Sequence, residues 1–242
     1  MRTATPVRLF CAVAVALAFS GPRVALADPP CCVVPDIGGT AQFPPACSNG
    51  YLDLAGFTLG GLPPTTQVVG TLRIYNFYNV IETPGGPLGG TQQQWDATLD
   101  CPLFGVLPFV YNKPISIPVH GQSAAGPRTL AAPTQSFPTE LISLQCQLPS
   151  GDADFDLLRI TMGSGFGLPS PGHTTFTADG PNWDVDSFFD ITYRIDYIGK
   201  SPGPFGGYSN SQTESLQRFD MCHNDATPAR RTTWGAVKQI YR

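Results

Sequence analysis

The sequence predicts an all-β protein, a β-sandwich, and three observations carry that prediction. Of 242 residues, 26 are Gly and 25 are Pro, so about one position in five interrupts regular structure. Charged residues are only 13%, roughly half the usual share, while the 42% of hydrophobic residues can fill a core. Apolar residues recur at period two in several segments, and no stretch of the body shows a 3.6-residue period. A coiled coil or helical bundle needs many Ala, Glu, Lys and Leu with little Pro, so both are excluded.

Residues 1–27 read as a secretory signal peptide. Arg2 and Arg8 give the positive start, Leu9 to Phe19 the apolar run, and Ala25-Leu26-Ala27 the small-residue cleavage site. That run is well short of the ~20 residues a membrane span needs, and no later segment comes closer, so no transmembrane segment is expected after signal removal. The expectation is a secreted protein: extracellular, at the cell surface or periplasmic.

Residues 28–46 form a Cys/Pro-rich N-terminal segment. Losing Cys11 with the signal leaves Cys31, Cys32, Cys47, Cys101, Cys146 and Cys222. An even number in an exported chain predicts disulfides, three in all, with the connectivity open. Adjacent Cys31 and Cys32 are badly placed to bond each other and are expected to reach different partners. Paired Cys-x-x-Cys spacing is absent, which argues against structural zinc.

The strands follow by alternation. Leu72, Ile74, Tyr78 and Val80 share a parity, as do Trp95, Ala97, Leu99 and Cys101, then Ile115, Ile117 and Val119, then Ile142, Leu144, Cys146 and Leu148. Phe155–Met162 is apolar on both parities and suits a central strand. The strongest pattern runs from Trp183 to Ile198. Trp183, Val185, Phe189, Ile191, Tyr193, Ile195 and Tyr197 take one parity, interrupted by Ser187, and Asp184, Asp186, Asp190 and Asp196 take the other. Turn clusters at 83–90, 121–128 and 201–209 punctuate these runs.

The domain reading is a first β-unit at 47–125 and a second at 126–225. An internal repeat would relate them. Gly-Leu-Pro, a Thr pair and a later aromatic-Asp-x-Thr occur in both, at 61–98 and at 167–192. The intervals differ, and chance recurrence of Gly/Pro/Thr turns is the competing explanation.

"GFGLPSPGHTTFT" at 165–177 and "VDSFFDITYRIDYIG" at 185–199 resemble segments of exported, β-rich bacterial proteins. The resemblance implies no activity, and no functional residue is carried over from it.

Chemistry is sparsely signalled. His120, His173 and His223 are scattered without motif, and Gly163-Ser164-Gly165 leads into prolines rather than a nucleophile-bearing helix. No catalytic residue is expected. Asp184, Asp186 and Asp190 share a strand face at spacings a glycosidase could use, but an exposed face is where acids belong anyway. Asp152, Asp154 and Asp156 beside Gly151 are the candidate metal ligands, for Ca2+, with an acidic turn capping a strand as the bland alternative.

Charge divides the chain. Residues 28–225 hold 18 acids against seven Lys/Arg, a balance of −11, whereas 226–242 carry Arg230, Arg231, Lys238 and Arg242 with no acid. An acidic body disfavours nucleic acid as a partner. The basic tail, with Trp234, Val237 and Ile240 at every third position, is expected to be frayed or docked on the body. A sorting role, contacting the cell envelope or an export receptor, is the sharper reading. The functional expectation is a secreted, non-catalytic β-sandwich protein with a structural or adhesive role. The alternative is a carbohydrate-binding module or glycoside hydrolase using the aspartate face, with Trp95 and Trp183 as sugar platforms.

Overall fold

The computed structural model of the protein describes residues 32–106 and 110–221. The expected signal peptide, Cys31, Cys222, His223 and the basic tail lie outside the described residues.

The strands are β1 (Val33–Pro35), β2 (Tyr51–Asp53), β3 (Phe57–Thr58), β4 (Gln67–Gly70), β5 (Arg73–Pro84), β6 (Thr91–Asp100) and β7 (Leu103–Val106). After them come β8 (Val110–Lys113), β9 (Ser116–Ala125), β10 (Thr134–Gln147), β11 (Phe155–Met162), β12 (Pro171–Asp179), β13 (Asn182–Gly199) and β14 (Ser209–Asp220). All pairings are antiparallel. A single 3-10 turn at Ser164–Phe166 is the helical element among the described residues, and no helix there is long and apolar enough to cross a membrane. The all-β expectation holds.

Ten strands form the larger sheet, in the order β1-β13-β11-β10-β9-β6-β5-β2-β14, with β12 laid against β10 and β13. The order closes on itself, because its last strand, β14, also pairs with its second, β13, from Phe188 opposite Asp220 to Ile198 opposite Ser209. The sheet therefore wraps onto itself in a sandwich-like arrangement, and its inner surface is the core. β3, β4, β7 and β8 make a second, four-stranded sheet whose inner residues Phe57, Val68, Leu103 and Tyr111 join that same core.

Strands from 47–125 and from 126–225 lie edge to edge, β9 on β10 and β2 on β14, and one core serves both. The stretches of the expected repeat differ in placement. Thr65-Thr66 leads into β4 of the smaller sheet, while Thr174-Thr175 lies within β12 of the larger one.

β13 behaves as its alternation dictates, with all seven apolar residues buried. Ser187 keeps the buried parity too, since its hydroxyl meets Tyr51 at 2.8 Å and Thr174 at 2.6 Å. β11 is central, between β10 and β13.

Three local expectations are corrected. Tyr78 is 44% exposed and Phe77 takes its place in the core. Asn76 and Asn79 adopt positive φ and create two register shifts in β5, which rotates the strand between them. Leu141 rather than Ile142 is buried, because β10 slips its register against β9 between Leu141 and Ser143. The turn expected from Gly121 begins later, since β9 runs on to Ala125. Gly121 is there to admit the Trp95 ring, which would collide with any Cβ at that position.

The cysteines form one described bridge. Cys32 bonds Cys47, tying the segment that carries β1 and Phe43 to the body. Cys101 and Cys146 are free thiols, both buried, in place of the bridged state expected for them. A thiol is also an ordinary small apolar side chain, and the core uses these two in that way.

Candidate functional site

The turn at 151–155 folds as an aspartate-capped turn. Asp152 Oδ1 accepts the backbone N–H groups of Asp154 at 2.8 Å and Phe155 at 3.1 Å. The free carboxylate oxygens turn towards β8. Lys113 Nζ lies 2.8 Å from Asp152 Oδ2 and 2.9 Å from Asp154 Oδ2, and the Tyr111 hydroxyl donates to Asp154 at 3.1 Å. Asp156 is exposed and takes no part. The expected set of three calcium ligands is therefore not assembled. A lysine ammonium occupies the position between the two carboxylates, and no group of three or more His, Cys, Asp or Glu among the described residues could hold a metal ion.

On the aspartate face of β13, one of the three acids is held in an ion pair. Asp190 receives Arg218 through two contacts, at 2.6 and 3.1 Å, and the same guanidinium lies 3.6 Å over the Phe188 ring. Asp186 is exposed, and Asp184 keeps one buried carboxylate oxygen without a hydrogen bond. None of the three lines a described concavity. Trp95 and Trp183 are core residues, so neither offers a face to a sugar.

One contact was not legible in the sequence. His173 Nε2 lies 2.7 Å from Ser136 Oγ, which also meets Thr175 Oγ1 at 3.1 Å. The two residues are 37 apart, on neighbouring strands, and only the β10–β12 register brings them together. The contact has two parts of a nucleophile–base–acid chain, on an outer sheet face that borders no described concavity. His120 is also exposed, with Nδ1 3.0 Å from Asp96, which in turn accepts Asn79 at 2.8 Å.

A cavity beside Tyr51, Phe77, Trp95 and Phe189 measures about 10 Å³, about the space of one water.

The outer face of the smaller sheet is different. Val69 and Phe104 stand opposite each other on β4 and β7, and both are exposed, Phe104 to 46%. Val110, on the same face of β8, is 85% exposed. Two shallow concavities of about 480 and 460 Å³ open on either side of the Val69–Phe104 pair. The first is bordered by Ala55, Gly56, Thr58, Thr71 and Glu214, and the second by Gln67, Val110 and Asn112. β8 is the last strand of its sheet, so among the described residues no strand lies beside its outer edge.

The sequence gives weak notice of this surface. Val68-Val69 and Leu103-Phe104 are apolar on both parities, which reads as burial, and the strands are too short for alternation to separate in from out. Gly70 and Gly105 are the partial signal. A Cβ on Gly70 would meet the Phe57 ring and Leu103, and one on Gly105 would meet Val68 at 2.9 Å. Only glycine lets the inner side of this sheet close down, which leaves its outer side to carry Val69 and Phe104.

No protein-family model, curated protein or solved structure matches the chain. Class and site therefore rest on the fold and on this geometry: an all-β, sandwich-like protein with an exposed apolar sheet face.

Proposed function

We propose that the protein is secreted and non-catalytic, and that it acts by binding, in an adhesive or structural role outside the cytoplasm. The outer face of the β3-β4-β7-β8 sheet is its binding surface. The observation that carries this reading is the Val69–Phe104 pair, exposed between two concavities on the smaller sheet. Exposed apolar surface of this kind, rimmed by Thr, Gln and Asn, is what association sites use. The Cys32–Cys47 bridge is consistent with an oxidising compartment.

The test compares the wild-type protein with Phe104→Ser for saturable binding to envelope preparations and to a glycan array, beside a polysaccharide hydrolysis panel. Loss of binding in Phe104→Ser at unchanged Tm supports the reading. Hydrolysis by the wild type, or equal binding by both proteins, overturns it. N-terminal sequencing of the exported protein tests the secretion claim, with Asp28 as the expected first residue.

A further inference from the structure

The described residues carry sixteen Asp/Glu against seven Lys/Arg, while residues 222–242 carry one against four. The two parts of the chain are opposite in sign. The same 21 residues hold Trp234, Val237 and Ile240, three apolar residues at every third position. A four-stranded sheet packed on the body through one face, with Val69, Phe104 and Val110 exposed on the other, is a layer whose apolar patch lacks a cover.

We propose that this basic C-terminal segment docks on the outer face of the β3-β4-β7-β8 sheet of its own chain, with Trp234 against Phe104 and Val69. The reach suffices. Described chain ends at Met221, and Glu214, on the rim of the first concavity, is seven residues back along β14, about 23 Å at ~3.3 Å per residue. Trp234 lies thirteen positions beyond Met221, a stretch that spans up to about 45 Å when extended. Glu214 then lies within range of the segment's cations. Tethering adds a further advantage, because a docking event within one chain runs at an effective concentration near millimolar and so fills a weak site. The docked segment covers the surface proposed above for binding and competes with any outside ligand, but the docking itself does not depend on that function.

Tryptophan fluorescence tests it on the full mature chain, without any partner. Trp95 and Trp183 are buried, so Trp234 is the one of the three tryptophans outside the described core. Its signal is the difference between the wild type and Trp234→Phe. The expected result is a severalfold lower acrylamide quenching constant for Trp234 than for the free 222–242 peptide. Phe104→Ser and Val69→Thr should each raise it towards the peptide value, as should high salt. Leu216→Ser, an exposed leucine outside both concavities, should leave it unchanged. Peptide-like quenching in the wild type overturns the proposal. So does shielding indifferent to both face variants, or shielding that disappears on hundredfold dilution, which would place the segment on a second copy. Because the readout needs no ligand, failure of the docking and failure of the proposed binding role are separate results.

Discussion

Lys113 and Asp154 meet at 2.9 Å across the seam between the two sheets, with Lys113 on β8 and Asp154 in the turn before β11. Both side chains are less than one-fifth exposed. Phe205 reinforces the seam by stacking on Phe155 at 4.9 Å and meeting the Tyr111 ring edge-on at 5.0 Å. The smaller sheet is thus joined to the larger one by an ion pair and by packed rings.

The first prediction concerns calcium. With the ammonium of Lys113 between Asp152 and Asp154, a second cation would have to displace it. Millimolar calcium or a chelator should leave the wild-type Tm unchanged, and a rise in Tm with calcium would sink this account. Lys113→Met should cost about 1–3 kcal/mol, since it leaves two poorly solvated carboxylates without their partner. Urea denaturation measures that loss.

The same pair sets a pH dependence. Burial raises the Asp152 carboxyl, but hydrogen bonds from Lys113 and from the backbone of Asp154 and Phe155 outweigh it and hold the group below its ordinary 3.8. Burial lowers Lys113, but Asp152 and Asp154 outweigh it and hold the ammonium above its ordinary 10.5. A depressed carboxyl contributes stability that is present above 3.8 and lost as pH falls through its folded value. A raised lysine contributes stability that is present below 10.5 and lost as pH climbs through its folded value. The stability gap between wild type and Lys113→Met should therefore be flat near neutrality. It should narrow below about pH 4 and above about pH 10.5. A gap that is constant across the acid limb refutes the assignment.

How legible was this structure in the sequence? β13 was readable in full, because eighteen residues of alternation leave a single inward face, and even the odd Ser187 is buried there. β5 was not. Its register depends on the positive φ of Asn76 and Asn79, and an asparagine in that conformation looks in sequence like any other polar strand residue. The closure of the larger sheet through β13 and β14 was equally hidden, since β14 is mostly polar and shows no apolar alternation. For the candidate site, the acids at 152 and 154 were visible. Their partner Lys113 was not, being 39 and 41 residues away and brought near only by the β7–β8 hairpin.

Cys101 and Cys146 give the third prediction. Burial pushes both thiols up, Cys146 to about 12, so neither supplies thiolate at neutral pH. Iodoacetamide should leave both unmodified in the folded protein and should alkylate both in urea without any reductant. Peptide mass spectrometry reads the outcome. If the two peptides emerge linked and unreactive in urea, they form a bridge and the assignment of free thiols is wrong.

The turn between β2 and β3 joins the two sheets. Asp53 ends β2 and is buried, yet its carboxylate has three donors: the Tyr193 hydroxyl at 2.8 Å and the N–H groups of Ala55 and Gly56 at 3.0 Å each. These bonds fix the chain as it leaves the larger sheet for β3. Gly56 takes φ +67° in that turn, and a Cβ there would meet the Gly70 carbonyl oxygen at 2.7 Å. Tyr193→Phe removes one donor and leaves the carboxylate partly unsatisfied in a buried setting, which should cost about 1–3 kcal/mol. Asp53→Ala should cost more than Tyr193→Phe, because it strands a buried hydroxyl and two turn amides. The double variant should fall short of the sum by about 0.5–3 kcal/mol, the coupling expected of direct contact. Ala55 and Gly56 also border the first concavity, so Asp53→Ala should loosen that rim. Amide exchange at residues 55–58 should rise in Asp53→Ala while exchange in β13 stays slow. Additive single-variant losses, or unchanged exchange at 55–58, would show that Asp53 does not hold this turn.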